Sequence, residues 1–366
     1  MKQCYCIATC QLFGSGNPPF NFCRYPDWCC HVLSCFYAVL AVHCVDDILS
    51  VERAQSAFSG FRGWRDFAEF CGWDIPDSKS PPPAAVFNTL GAETDLSGFP
   101  DDPVLLRASK DRIEKLVVLL NDVVEAGFLK PALAGKLFGK LMFMSSQYYG
   151  RCGRALLRAF ARRQHDLKHN ALNPQLRASC LCWLSAIRTT RPREVPMDLA
   201  SLPCAVSYSD GEGADAGVGI ALWVPGRRAV AGYLQVPDSV RTVWQPKPRT
   251  PGDERDIYEI EAVGPLLVLS NWGHMLEGML WIHFVDNEAA LAGLIKGSSS
   301  VTSGEVITAF THNLVAKHSV WPWFDRVDTK SNPVDQLSRK KSDGDWDLLP
   351  ITFPSLLSSQ LSSYLS

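Results

Sequence analysis

The chain has 366 residues, of which 46% are hydrophobic and 20% are charged, and its formal net charge is −2. This composition is typical of a globular chain that buries real cores, which excludes a largely disordered protein. The length predicts two or three domains. The small net charge excludes no class of partner, because the distribution of charge decides nucleic-acid affinity.

The cysteines are concentrated near the N-terminus, where eight of the thirteen lie within the first 44 residues. No Cys-x-x-Cys pair occurs, and neither Cys4-x-Cys6 nor Cys29-Cys30-His31 has a standard zinc spacing. The first residues hold too short an apolar stretch for a signal peptide, and a chain this large needs no disulfide framework. We therefore expect buried free thiols and a cytoplasmic or nuclear protein that is not secreted.

An apolar run leads into the acidic pair Asp46-Asp47. Residues 28–45 contain no Lys, Arg, Asp or Glu, which is long enough for a transmembrane candidate. The run also contains two His and several Cys and Ser, and it continues directly into the acidic pair. A core helix that leads into a strand is therefore the favoured interpretation, and no membrane contact is expected.

Five short segments in residues 1–100 share one order along the chain: 12–20 with Asn17-Pro18-Pro19, 45–49 with Asp46-Asp47, 71–73, 79–80 and 87–91. In this order they resemble the palm of a reverse transcriptase. The resemblance implies that Asp46, Asp47 and Lys79 are the remnant of a polymerase site. The family takes a further Asp from an upstream strand, whereas residues 1–26 contain no Asp or Glu. We therefore expect an incomplete palm without polymerase activity.

Residues 101–200 are predicted to be helical and basic, as in a thumb or connection segment. Residues 128–170 contain nine Lys or Arg and one acid, Asp166. Four arginines recur at the spacing of one helix face: Arg151, Arg154, Arg158 and Arg162. No acid stands four residues after the first three, so most of this stripe lacks acidic partners, whereas Asp166 stands four residues after Arg162. A solvated charged face and a surface that follows nucleic-acid phosphates both remain open.

Residues 201–345 alternate between strand and helix patterns. Residues 205–211 and 217–237 are rich in Val, Tyr and Trp and break at Pro225-Gly226, which predicts strands and a hairpin. A helical pattern follows over 258–280, then a short apolar strand over 281–285. Strands that alternate with helices predict an α/β domain. The proline-rich residues 241–256 are predicted to be an exposed insertion, and residues 346–366 a tail.

Four acids stand at strand ends or helix starts in this segment: Asp210, Glu261, Asp286 and Asp335. Such a set is what a pair of Mg²⁺ ions needs, because this hard cation takes carboxylate oxygens. Each acid also has a structural interpretation. Asp210-Gly211 is a favoured turn pair, and Asp335 could complement a helix N-terminus. Glu259 competes with Glu261, because both precede the same apolar helix.

The phrases YSDGEG, IYEIEA, FVDNEAALAGLIKG and SNPVDQLSR carry these acids. Over residues 203–345 they resemble ribonuclease H of the kind linked to reverse transcriptases. The resemblance implies an α/β fold with a mixed sheet and flanking helices. It also implies two Mg²⁺ ions, with Mn²⁺ as an alternative, held by the four acids, and an RNA–DNA hybrid as substrate. No small-molecule cofactor is expected.

The sequence therefore predicts a retroelement fragment in four parts: an α+β palm remnant over 1–100, a helical connection over 101–200, the ribonuclease H-like domain over 201–345 and the tail. The predicted activity is hydrolysis of the RNA strand of hybrids. Two alternatives stay open at this stage. One is a catalytically silent nucleic-acid-binding relic, and the other is a DNA-cutting nuclease of the same fold.

Overall fold

The structure is a computed structural model that describes residues 17–244, 256–341 and 344–355. The chain divides into two compact units, Met1–Ser97 and Gly98–Ser366. The helical segment and the ribonuclease H-like segment thus share one unit. The four-part functional division drawn from the sequence stays a prediction. Among the described residues, no helix is both long enough and apolar enough to cross a membrane.

Over its described residues, 17–97, the first unit contains two α-helices and two hairpins. Its elements are α1 (Asn17–Tyr37), β1 (Ala41–Cys44), β2 (Asp47–Ser50), α2 (Ala57–Phe70), β3 (Val86–Thr89) and β4 (Ala92–Asp95). The apolar run 28–45 is the end of α1 followed by β1, so the expected change from helix to strand is confirmed. The expectation of a core helix is wrong, because most of this part of α1 is exposed and only Cys29 and Leu33 are buried. β1 and β2 pair antiparallel, with Cys44 opposite Asp47, so that Asp46 lies in the turn between them. Of the segment 12–20, residues 12–16 lie outside the described residues.

The described cysteines are free thiols, as expected, but their burial varies. Cys29, Cys152 and Cys180 are buried, whereas Cys35 and Cys44 are exposed, so the prediction of burial is wrong for the last two. Burial raises the pKa of Cys29 to about 11 and that of Cys180 to about 12. These two thiols are therefore protonated at neutral pH and pack as small apolar groups.

Residues 98–200 form a helical layer. Its elements are β5 (Val104–Ala108), α3 (Lys110–Ala126), α4 (Pro131–Ser145), α5 (Leu157–His165), α6 (Pro174–Thr189) and β6 (Arg193–Val195). Leu120, Leu137, Phe160 and Trp183 are fully buried in its core. β5 and β6 pair antiparallel across the whole helical segment.

The predicted basic helix is shorter than expected. Residues 151–156 are turns and α5 begins only at Leu157, so Arg151 and Arg154 lie outside the helix. Gly150 and Gly153 have φ angles of 63° and 77°, in the left-handed region that interrupts a helix. A Cβ atom at residue 153 would also lie 2.7 Å from the Trp183 ring, which only glycine allows.

The remaining residues build a six-stranded sheet with helices around it. Its elements are β7 (Cys204–Glu212), β8 (Gly217–Trp223), β9 (Val230–Gln235), α7 (Asp238–Trp244), α8 (Ile257–Trp272), β10 (Leu280–Val285), α9 (Glu288–Lys296), α10 (Thr302–Lys317), β11 (Trp321–Arg326), α11 (Asp335–Ser338) and β12 (Asp347–Leu348). The insertion 241–256 and the tail lie largely outside the described residues, at 245–255 and 356–366. The helix predicted over 258–280 ends at Trp272, and a 3-10 turn follows it.

The strand order is β11-β10-β7-β8-β9-β12. β7, β8 and β9 pair antiparallel, whereas β10 is parallel to both β7 and β11. This mixed sheet with flanking helices is compatible with the predicted ribonuclease H-like fold. The carboxyl ends of the parallel strands β7 and β10 lie at the same edge of the sheet, where such sheets commonly place ligands.

One continuous core joins the helical layer to the sheet domain. Tyr149 donates a hydrogen bond from its hydroxyl to the carbonyl oxygen of Val320, at 3.0 Å. The thiol of Cys152 lies 3.3 Å from the carbonyl oxygen of His312. These buried contacts fix the helical layer against α10 and the start of β11, so it is built into the second unit.

Candidate metal centre

Three acids from three different elements converge at one edge of the sheet. Asp210 lies near the end of β7, Glu261 lies on α8, and Asp286 directly follows β10. One oxygen from each carboxylate lies within 4.8 Å of the others. Tyr208 of β7 pairs with Phe284 of β10 in the parallel ladder. Asp210 and Asp286 each stand two residues after these partners, so the two aspartates lie side by side. The name acidic cluster is used below for these three residues.

Two glycines let α8 approach β7 closely enough to bring Glu261 into the acidic cluster. A Cβ atom at Gly211 would lie 2.9 Å from Ile260 and 3.2 Å from the carboxyl carbon of Glu261. A Cβ atom at Gly264 would lie 2.3 Å from the Ser209 hydroxyl oxygen, which is closer than packing allows. Glycine at positions 211 and 264 therefore allows the close approach that brings Glu261 to Asp210.

The structure distinguishes the two competing glutamates. Glu261 reaches the acidic cluster, whereas Glu259 accepts a hydrogen bond from the Ser303 hydroxyl of α10 at 2.6 Å. Both carboxylates are buried, so burial alone would not separate them. Residues two positions apart on a helix point to different faces, and here the Glu261 side chain is the one that reaches Asp210 and Asp286.

The acidic cluster carries unfavourable negative charge. Burial raises the pKa of Asp210 to about 6, with smaller contributions in the same direction from Asp286 and Asp335. The pKa of Glu261 is raised well above its ordinary value, first by burial and then by Asp286 and Asp210. The nearby backbone N–H of Gly211 opposes this rise in the pKa of Glu261.

An unsatisfied atom within the cluster fits a cation. The Oε2 atom of Glu261 is buried and has no hydrogen-bond partner among the described residues. A buried carboxylate oxygen without a donor is costly, whereas a divalent cation would satisfy it and neutralise its neighbours. The donor set consists of carboxylate oxygens alone, which suits Mg²⁺ or Mn²⁺ and not a soft metal. The residues present therefore fit the metal ions that the sequence implies.

The fourth predicted acid lies beside the acidic cluster and not within it. Asp335 is the first residue of α11, as the sequence indicated. Its Oδ1 atom accepts a hydrogen bond from Arg339 at 3.1 Å, and its Oδ2 atom accepts one from the Gln336 amide at 2.9 Å. Asp335 is still near enough to raise the pKa of Asp210. Its assignment as a metal ligand therefore stays a prediction.

Two polar side chains from the segment between β11 and α11 hold the cluster, and sequence reasoning missed both. The amide nitrogen of Asn332 donates to the Ser209 carbonyl oxygen at 2.9 Å and approaches Asp210 Oδ1 at 3.4 Å. The Thr329 hydroxyl donates to Asp286 Oδ2 at 2.9 Å. Asn332 is buried and lies three residues before α11, which begins at Asp335.

A buried polar network underlies the two strands that carry Asp210 and Asp286. The Trp281 indole N–H donates to the Ser207 hydroxyl at 2.7 Å, and that hydroxyl lies 2.7 Å from His283 Nδ1. His283 Nε2 lies 3.1 Å from the Ser209 hydroxyl. Burial lowers the pKa of His283 to about 3, so the ring is neutral at any pH of interest. This network links β7 to β10 directly beneath the acids.

The four arginines predicted to bind nucleic acid fall into two groups. Arg162 donates to both carboxylate oxygens of Glu305, at 2.6 and 3.0 Å, and Arg158 lies 3.8 Å from the same group. The inference that the stripe lacks acidic partners is therefore wrong for these two, because their partner comes from the distant helix α10. The side chain of Arg151 packs where a Cβ atom of Gly297 would stand. Burial, then Arg154, lowers the pKa of Arg151.

The predicted polymerase remnant is exposed. Asp46 lies in the β1–β2 turn, Asp47 begins β2, and Lys79 ends a 3-10 turn. In the part of the chain that the structure describes, neither aspartate belongs to a group of three potential metal ligands. Asp46 and Asp47 thus lie in the β1–β2 hairpin, and a polymerase role for these residues stays a prediction.

Neither a protein-family model nor a curated protein sequence matches the chain. Among solved structures it is similar to foamy viral protease-reverse transcriptase in complex with double-stranded DNA, at 12% identity and a TM-score of 0.42, over 87% of this chain and 60% of that one. A second structure, in complex with an RNA/DNA hybrid, matches at 11% identity and a TM-score of 0.40, over 94% and 42%. A third, the dRH form with double-stranded DNA, has 11% identity and a TM-score of 0.41, over 85% and 49%. The chain thus spans about half the length of these proteins, and at these values the likeness identifies neither a family nor a function.

Proposed function

We propose that this chain is a metal-dependent endoribonuclease that hydrolyses the RNA strand of RNA–DNA hybrids. The observation that carries the proposal is the acidic cluster, in which Asp210, Glu261 and Asp286 converge from a strand, a helix and a parallel strand end. The order of these acids and their phrases resembles ribonuclease H of retroelements, which motivates the choice of a hybrid substrate.

In the proposed reaction the residues of the chain bind and orient. Asp210, Glu261 and Asp286 would hold the ions, and Asp335 is the nearest further carboxylate. A bound pair of divalent ions supplies an activated water and stabilises the leaving oxygen of an in-line phosphodiester cleavage. Thr329 and Asn332 keep the carboxylates of Asp286 and Asp210 in fixed orientations through the hydrogen bonds described above.

The raised pKa values of Asp210 and Glu261 have a role in this proposal. At pH below about 6, Asp210 would be protonated and would lose its capacity to hold a cation. A divalent cation favours the ionised form, so metal binding and loss of protons from the cluster are linked. We therefore expect activity to fall as the pH drops below neutral.

Hybrid recognition would depend on duplex shape and on contacts to ribose 2′-hydroxyls, and not on base sequence. Of the four predicted arginines, Arg151 and Arg154 are the better candidates for phosphate contacts, because Glu305 engages Arg158 and Arg162. The exposed Asp46, Asp47 and Lys79 are proposed to be a polymerase remnant without activity. A retroelement origin of the chain is part of the same proposal.

The test is to incubate the protein with labelled RNA–DNA hybrid, duplex DNA and duplex RNA, each with Mg²⁺ or with EDTA. Cleavage of the hybrid RNA alone, and only with Mg²⁺, is the expected result. Binding of the hybrid without cleavage would favour the catalytically silent relic. Cleavage of duplex DNA would instead favour the DNA-cutting nuclease and would refute the proposed substrate.

A further inference from the structure

Both carboxylate oxygens of Asp335 accept hydrogen bonds from side chains within and directly after its own short helix, α11. Arg339 donates to one oxygen at 3.1 Å and Gln336 donates to the other at 2.9 Å. Asp335 and Arg339 are four residues apart, the spacing at which helical side chains meet. Asp335 therefore lies next to the acidic cluster, but its carboxylate is paired with the positively charged guanidinium group of Arg339.

The same arginine acts on the acidic cluster. The helix α11 packs against β7 and β8, and a Cβ atom at Gly219 of β8 would lie 2.7 Å from the backbone nitrogen of Ser338. Gly219 is the pairing partner of Asp210 in the sheet, so this contact brings the end of α11, where Arg339 follows, to the strand pair that carries Asp210. The positive charge of Arg339 favours the ionised form of Asp210 and opposes the rise in the pKa of that carboxyl.

The ion pair between Arg339 and Asp335 is open to solvent on the arginine side. The Arg339 side chain is 54% exposed, whereas that of Asp335 is 21% exposed. An exposed ion pair at i,i+4 is weak, so its disruption costs little. A divalent cation in the acidic cluster would repel the guanidinium and attract Asp335 at the same time.

We propose that Arg339 is a resident counter-cation of the acidic cluster, which holds Asp335 aside and releases it when a divalent cation binds. This inference rests on the proposed metal site, and it assigns Arg339 as a positioning residue. It predicts that Arg339 and the divalent cation compete. Removal of the arginine charge should therefore strengthen cation binding, although most losses of a residue at a binding site weaken it.

The experiment titrates the full chain with Mn²⁺ alone and follows free Mn²⁺ by electron paramagnetic resonance, without nucleic acid. Arg339→Gln should bind Mn²⁺ about three- to tenfold more tightly than the wild type, from the loss of one unit charge a few Å away. Arg339→Ala should show the same direction of change, and Arg339→Lys, which keeps the charge, should stay within about twofold of the wild type.

The matched control is Arg228→Gln, which makes the same change in net charge. Arg228 is 63% exposed and pairs with Asp345 at 2.9 Å and Asp347 at 3.3 Å, none of which belongs to the cluster. The affinity of the Arg228→Gln variant for Mn²⁺ should equal that of the wild type. In an Asp335→Asn background the gain from Arg339→Gln should shrink, because the withheld ligand is already lost.

Equal or weaker Mn²⁺ binding by Arg339→Gln and Arg339→Ala, with binding by the wild type intact, would overturn the inference and leave the proposed function standing. Arg339 would then orient Asp335 and not compete for it. Absence of Mn²⁺ binding by the wild type and all variants would overturn the metal site as well. Urea unfolding of each variant confirms that it is folded before the titration.

Discussion

The acidic cluster should destabilise the metal-free protein, and Asp210→Asn tests this directly. The pKa of Asp210 is about 6 in the folded protein against an ordinary value of 3.8. The folded state therefore holds the proton more tightly than the unfolded state does. The contribution of Asp210 to the free energy of unfolding is therefore greatest below pH 3.8, falls as the pH rises towards about 6, and stays constant above that pH.

The expected size follows from the shift in pKa. A shift of about two units corresponds to roughly 3 kcal/mol of unfavourable free energy at pH 7.5, at about 1.4 kcal/mol per unit. Asn has the same shape as Asp and no charge, so the variant avoids this cost. In EDTA, Asp210→Asn should be more stable than the wild type by up to about 3 kcal/mol at pH 7.5 and equal to it near pH 4.

The assay is urea unfolding in EDTA at several pH values between 4 and 8. Asp325→Asn is the matched control, because Asp325 is an exposed acid on β11, the strand that pairs with β10 in the same sheet. Its stability should stay within about 0.5 kcal/mol of the wild type. A destabilised Asp210→Asn variant, or a gain that does not change with pH, would refute the electrostatic account of the cluster.

Three further outcomes are expected. Arg162→Gln should lower the free energy of unfolding, measured in urea, by about 2 kcal/mol, because the fully buried Glu305 loses a two-point contact. The loss is reduced because almost half of the Arg162 side chain is exposed to solvent. An unchanged free energy of unfolding would mean that the contact is not maintained in solution. Replacement of Arg151 and Arg154 by Gln should reduce the salt dependence of hybrid binding by up to ~0.9 per lost phosphate contact, on a B-DNA reference; an unchanged slope would make both residues a solvated surface. The wild type should not extend an oligo(dT) primer on poly(A), and extension that Asp46→Asn abolishes would contradict the assignment of an inactive remnant.

The positions of Asp210 and Asp286 could be predicted because strand ends are local features. Each acid follows an alternating or apolar run, and a parallel arrangement of two such strands brings their carboxyl ends together. The choice between Glu259 and Glu261 could not be made from the pattern of the helix alone. It depends on which helix face meets β7, and that depends on the packing allowed at Gly211 and Gly264.

Contacts between distant elements were not accessible to sequence reasoning. Glu305 lies on α10, 143 residues beyond Arg162, and nothing local marks the two as partners. His283 is a single histidine in an apolar strand, and its serine partners stand on another strand. In contrast, Asp335 and Arg339 stand at i,i+4, a spacing from which the sequence alone predicts an ion pair.

The central claim is that the acidic cluster cleaves hybrid RNA, and hybrid cleavage by Asp286→Asn tests it most directly. The variant keeps the shape of the side chain and removes one charge from the three that would hold the ions. With Mg²⁺ at saturating hybrid, the cleavage rate should fall by about a thousandfold or more, the scale on which loss of metal-ion catalysis acts. Asp325→Asn should cleave as the wild type does. Cleavage by Asp286→Asn at the wild-type rate would contradict the account.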